Sequence, residues 1–166
     1  SSGTTTLTKG TLDTNGQTIS TGSFSSSNSN TRVLTLGASA ITLTNTGTVW
    51  DTTTVSGLTI TTNTAIVTLN DQTVTFTSGA INFNGMSIVK NGVSNKGMTT
   101  TMNAGGCTFA NLTFTSSNTN DKLPSLTFNG DVTATGTLTI NGTSAINRML
   151  VTSNTLGTPR TLTIAT

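Results

Sequence analysis

One short phrase recurs along the second half of this chain and restricts its fold more than any other feature. It reads Asn111-Leu112-Thr113-Phe114-Thr115, then Ser125-Leu126-Thr127-Phe128-Asn129, then Thr137-Leu138-Thr139-Ile140-Asn141, and finally Thr161-Leu162-Thr163-Ile164. Apolar residues alternate with hydroxyl or amide residues, the period-2 pattern of a strand with one buried face. Thr and Ile are β-branched and suit a pleated surface. Gly, Asn and Ser, the residues that favour turns, lie between the phrases. A repeated strand-plus-turn unit predicts a solenoid. The composition tests that prediction, because Thr, Ser, Asn and Gly make up more than half of the chain and charged residues only 7%. Polar, weakly charged chains of this kind are often disordered, but a disordered tract has no reason to space Leu, Ile, Val and Phe regularly.

Apolar centres at Ile41, Ile66, Ile88, Leu112, Leu138 and Leu162 form one series with a period of roughly 24 residues. Leu34, Leu58, Ile81, Met102, Leu126 and Leu150 form a second, and Val49, Val74, Met98, Leu123 and Ile146 a third. Three interleaved series with one period predict three strands per coil. The expected fold is therefore all-β: a single-stranded right-handed parallel β-helix of about seven coils, with residues 1–166 as one domain. Coils ~4.8 Å apart would make a rod about 33 Å long. No stretch sustains helical apolar spacing. The chain begins with Ser rather than Met and stops just after a strand-like phrase, so it reads as a fragment or processed part of a longer chain.

Several local expectations follow. Asn15-Gly16 is a turn signal, and the polar tract Ser25–Asn30 reads as a protruding loop. Asn45, Asn70, Asn95, Asn118 and Asn141 recur near the coil period and read as turn residues, potentially stacked as a ladder. Pro124 and Pro159 lack an amide donor and belong at corners or edges. Trp50 follows Val49, and neighbours in a strand point to opposite faces, so one of the two is expected outward. Trp50, Met86 and Asn28, the last within the Ser25–Asn30 tract, are the candidate partner-contact residues.

Little in the sequence suggests chemistry. His, Glu and Tyr are absent, which removes most general acid–base options. Two carboxylates can suffice for glycoside hydrolysis, and Asp51 and Asp71 are separated by nearly one coil. Yet Asp51, Asp71 and Asp131 all read as turn residues, so no catalytic residue is assigned. Cys107 is the single cysteine and fits an inward strand position. No metal-ligating or cofactor-binding set is seen, and no cofactor is expected. The sequons Asn111-Leu112-Thr113 and Asn141-Gly142-Thr143 fall inside strand repeats and read as products of composition. The cations are scattered, with a net charge of +2, so no basic cluster favours nucleic acid. No apolar run reaches the roughly 20 residues of a membrane helix, and no membrane partner is expected.

The threonines raise one sharper alternative. Thr-x-Thr pairs stacked on consecutive coils of a flat face can order water and bind ice. Thr42/Thr44, Thr73/Thr75/Thr77, Thr113/Thr115 and Thr137/Thr139 supply such pairs. Aligned on the first apolar series, however, the ladder breaks at Ala65/Val67 and Ser87/Val89. The outward threonines are then read as solvated β-formers.

The segment from Gly136 through Arg148 and Arg160 to Ile164 resembles a recurring phrase of repetitive surface proteins, as does Gly105-Gly106-Cys107-Thr108-Phe109-Ala110-Asn111-Leu112-Thr113-Phe114. Both are similar to the Thr/Ser/Asn-rich β-helical regions of bacteriophage virion proteins and bacterial surface proteins. The resemblance covers about the last 60 residues well and the first 100 only in style. It implies a non-enzymatic structural protein on the virion surface or in the extracellular space: a fibre, spike or capsid decoration. Its implied partners are further copies of itself in a homotrimer or higher assembly, other virion proteins, and potentially a surface glycan. The alternatives are an ice-binding solenoid and a bacterial adhesin or glycan-binding fragment.

Overall fold

The computed structural model describes residues 2–70, 72–91, 98–116, 123–142, 145 and 148–165. Every regular element among them is a strand. The first three coils run β1 (Thr4–Thr6), β2 (Gly10–Asp13), β3 (Thr18–Thr21); β4 (Ser23–Ser25), β5 (Arg32–Thr35), β6 (Ala40–Leu43); and β7 (Gly47–Thr52), β8 (Leu58–Thr61), β9 (Ile66–Leu69). Beyond them come β10 (Thr73–Ser78), β11 (Asn82–Asn91), β12 (Thr99–Asn103), β13 (Cys107–Thr115), β14 (Ser125–Phe128), β15 (Val132–Ala134), β16 (Leu138–Asn141), β17 (Leu150–Ser153) and β18 (Leu162–Ile164).

These strands stack into three parallel sheets, as a β-solenoid requires. The first sheet runs β1-β4-β7-β10-β12-β14-β17 and the second β2-β5-β8. The third runs β3-β6-β9-β11-β13-β15-β18, with β16 also pairing β13. Seven strands stack in the first sheet, and the coils close into about five turns, against the seven coils expected. At the two ends the coils are incompletely enclosed: β1 is exposed throughout and β17 is exposed or half-buried. The first three coils have three strands each. In the next two, the second and third sides are covered by one continuous strand, β11 of 10 residues and then β13 of 9, and the coil after them is again three strands, β14, β15 and β16.

The core is a set of columns, one residue per coil. In the first sheet Phe24, Trp50, Phe76, Met102 and Phe128 stand above one another. In the third sheet Ile41, Val67, Ile88, Leu112 and Leu138 do the same. Stacking at coil spacing brings rings into contact: Trp50 and Phe76 lie 5.4 Å apart and 9° from parallel, and Phe83 and Phe109 5.1 Å and 8°. Each such pair adds about 0.5–1.5 kcal/mol beyond its area burial.

The apolar series read from sequence slip against these columns. Val67, not Ile66, is the neighbour of Ile41, and Ile66 is exposed. Leu34 pairs Ile60 rather than Leu58, and Met102 pairs Phe128 rather than Leu126. Leu123 is exposed, and Ile146 lies outside the described residues. The asparagines do not form a ladder either: Asn141 pairs Thr115, and the Asn45 side chain donates to the Ser2 carbonyl at 3.1 Å. Asn95 and Asn118 are outside the described residues.

Candidate functional site

Two of the three expected contact residues are core residues. Trp50 is 1% exposed and Met86 fully buried, so the contact role expected of each is corrected. Trp50 and Val49 both point inward because β7 carries a bulge. Thr48 pairs Thr75 and Trp50 pairs Phe76, which leaves Val49 as an extra residue. The indole nitrogen donates to Thr52 Oγ1 at 3.0 Å, and that hydroxyl donates to Ser78 Oγ at 2.9 Å. Met86 turns inward at a second bulge, where β11 steps from Phe83 to Ser87 while β13 steps from Phe109 to Asn111.

Asn28 is half-buried, and its Oδ1 accepts the Asn30 amide at 2.9 Å. The tract around it does not protrude. Ser26 Oγ donates to the Leu7 carbonyl at 2.9 Å, Ser27 Oγ to Thr54 Oγ1 at 3.2 Å, and Asn30 Nδ2 to the Thr8 carbonyl at 3.0 Å. Polar side chains here serve to tie one coil to the next.

The titratable groups are likewise engaged in structure. Asp13 accepts the Asn15 amide and Asp51 the Thr53 amide and hydroxyl, the local turns their contexts suggested. Asp131 reaches across a coil to the Thr161 amide at 2.8 Å. Asp71 and Asp121 lie outside the described residues. Cys107 is buried, its thiol directed to the Gly79 carbonyl at 3.2 Å. Burial pushes that thiol above its ordinary value, against a smaller opposing effect of hydrogen bonding to Ile81 and Ser78. That favours the unreactive protonated form.

Among the described residues two surfaces stand out. One is the end of the rod. Leu150, Val151, Leu156 and Ile164 are exposed there, and Leu156 has no cover at all. Val151 stands next to Leu126, and Ile164 next to Ala134, both buried one coil earlier. The last described coil thus continues the core columns. The other surface is the outer face of the first sheet. Its central column is Thr48, Thr75, Thr101, Thr127 and Thr152 in unbroken parallel pairing.

That threonine column was hidden from the sequence by the choice of period. Its rungs are 25 residues apart at Thr127–Thr152, and the neighbouring column has 26 between Thr99 and Ser125. The third sheet, by contrast, has 24 between Ser87 and Asn111. A single period of 24 fits neither sheet. In the third, Ile41–Val67, Val67–Ile88 and Ile88–Leu112 are 26, 21 and 24 residues apart, and Val89 interrupts the threonines between Thr68 and Thr113.

No protein-family model, curated protein or solved structure matches the chain. Function therefore has to be argued from these surfaces.

Proposed function

We propose that this chain is a non-enzymatic structural and assembly module, a stiff rod of a bacteriophage virion surface such as a fibre, spike or capsid decoration. The observation that carries the structural part is the stack of parallel ladders around one apolar core, seven strands deep in the first sheet. In that sheet every strand from β4 to β14 is paired on both sides, and Phe24, Trp50, Phe76, Met102 and Phe128 stack as one buried column. Coils stacked in this way make a quasi-one-dimensional rod. The carboxylates Asp13, Asp51 and Asp131 are engaged with backbone amides, which fits a structural rather than a catalytic duty. The virion assignment is supported by the resemblance of the Gly136–Ile164 phrase.

Light scattering on the purified chain, with electron microscopy of the same sample, tests the reading. Trimers, higher oligomers or end-to-end filaments are expected. A monomer at every concentration, with no larger particles in the images, would argue against self-assembly.

A further inference from the structure

The outer face of the first sheet takes no part in enclosing the core, yet it is more regular than solvation requires. Between β10 and β17 the pairing runs without a bulge, and none of the paired residues is charged. The column Thr75, Thr101, Thr127, Thr152 is flanked one pleat away by Thr73, Thr99 and Ser125. Rungs in such a sheet are ~4.8 Å apart and alternate residues along a strand about 6.7 Å apart. Over β10, β12 and β14 the face is therefore a rectangular grid of hydroxyls and methyls, and in β17 the flanking column ends at the exposed Leu150.

The hydroxyls are also aligned. Thr127 and Thr152 Oγ1 are 3.1 Å apart and Ser125 Oγ is 3.5 Å from Thr99 Oγ1, each pair bridging successive coils. β-branching stiffens χ1, so the grid is held in place before any ligand arrives. A hydroxyl has one donor and two acceptor sites, so each retains capacity for water after its ladder contact.

Such a surface selects its partner by repeat rather than by charge. Among the paired residues of β10, β12, β14 and β17 a phosphate polymer or an anionic lipid surface would find no cation. A two-dimensional grid of hydroxyls and methyls instead imposes its repeats on the first layer of water. The partner that shares both the chemistry and a fixed two-dimensional repeat is crystalline water. We propose that this face binds ice, by ordering a water layer that joins the crystal lattice. The inference goes beyond the assembly reading and does not depend on it, since it rests on the flank of the rod alone.

The test is thermal hysteresis and crystal shape in a nanolitre osmometer, using the full chain. Hysteresis with faceted crystals is expected. The variant carrying Thr101→Lys and Thr127→Lys should lose both effects, with its unfolding midpoint and circular dichroism unchanged. Thr113→Lys, on the third sheet, should retain them. Thr127→Val preserves β-branching and guards against misfolding; it should lower hysteresis several-fold. The proposal is overturned if the full chain shows neither hysteresis nor faceting. It is equally overturned if Thr113→Lys abolishes the effect as fully as the first-sheet variant, or if the chain is retained on crystalline cellulose but excluded from growing ice.

Discussion

At the scale of single residues, the least expected side chain is Arg32. It is fully buried at the start of β5, and among the described residues no carboxylate is a hydrogen-bond partner. Its Nε donates to the Asn30 carbonyl at 2.9 Å, Nη1 to the Ser26 carbonyl and hydroxyl, and Nη2 to the carbonyls of Thr54 and Ser56. One planar fork thus gathers the corners of neighbouring coils, a task that uses the fixed geometry of guanidinium. Arg32→Ala removes the donor from one buried and three part-buried carbonyls and should cost about 3–5 kcal/mol in chemical denaturation. Arg32→Lys should recover only part of that, because three donors on one nitrogen cannot span both corners. Nothing in Thr31-Arg32-Val33 marks this role. The partners come from residues that only coiling brings together, so a sequence scanned for paired charges passes over it. Cys107 was legible by contrast, because its neighbours Thr108 and Phe109 keep the strand alternation in which it takes an inward place.

At the scale of elements, alternation identified strands well and registers poorly. Leu126 and Phe128 in β14 face inward as the phrase predicts, and Leu112 and Phe114 in β13 do the same. What alternation cannot reveal is an extra residue. Val49 in β7 and the Asn84–Met86 step in β11 shift every later partner while leaving the local pattern plausible. Gly85 is the hinge of the second bulge: its φ is +84°, and a Cβ there would fall on the Asn63 carbonyl oxygen. Gly157 provides a control, with a similar φ of +76° but open space around the site of a Cβ. Gly157→Ala should therefore cost only the left-handed backbone penalty, about 1–2 kcal/mol. Gly85→Ala adds steric displacement of β9's approach and should cost about 2–4 kcal/mol. Thermal unfolding of the two variants side by side checks the difference. Equal destabilisation would mean that the bulge accommodates a side chain.

At the scale of the whole molecule, a solenoid is nearly one-dimensional, each coil contacting mainly its neighbours. Local opening should then be governed by position along the rod rather than by strand chemistry. The middle strands β10 to β13 have neighbours above and below and contain the Phe76–Phe83–Phe109 ring cluster. β17 and β18 have a neighbour on one side only, and Leu150, Val151 and Ile164 in them are exposed. Native-state hydrogen exchange at low concentration should show protection highest in β10–β13 and falling toward β17 and β18. If the open end is the assembly surface, raising the protein concentration should increase protection in β17 and β18 selectively, because a docked partner supplies the missing ladder bonds. Val151→Lys should remove that increase while leaving β10–β13 protected, since its side chain sits beyond the last enclosed coil. Self-association that leaves exchange in β17 and β18 unchanged would instead place the self-contact on the threonine face. The two surfaces can therefore be separated in one experiment: the end recruits by unfinished backbone pairing, and the flank offers only side chains, which leave amide exchange largely unchanged.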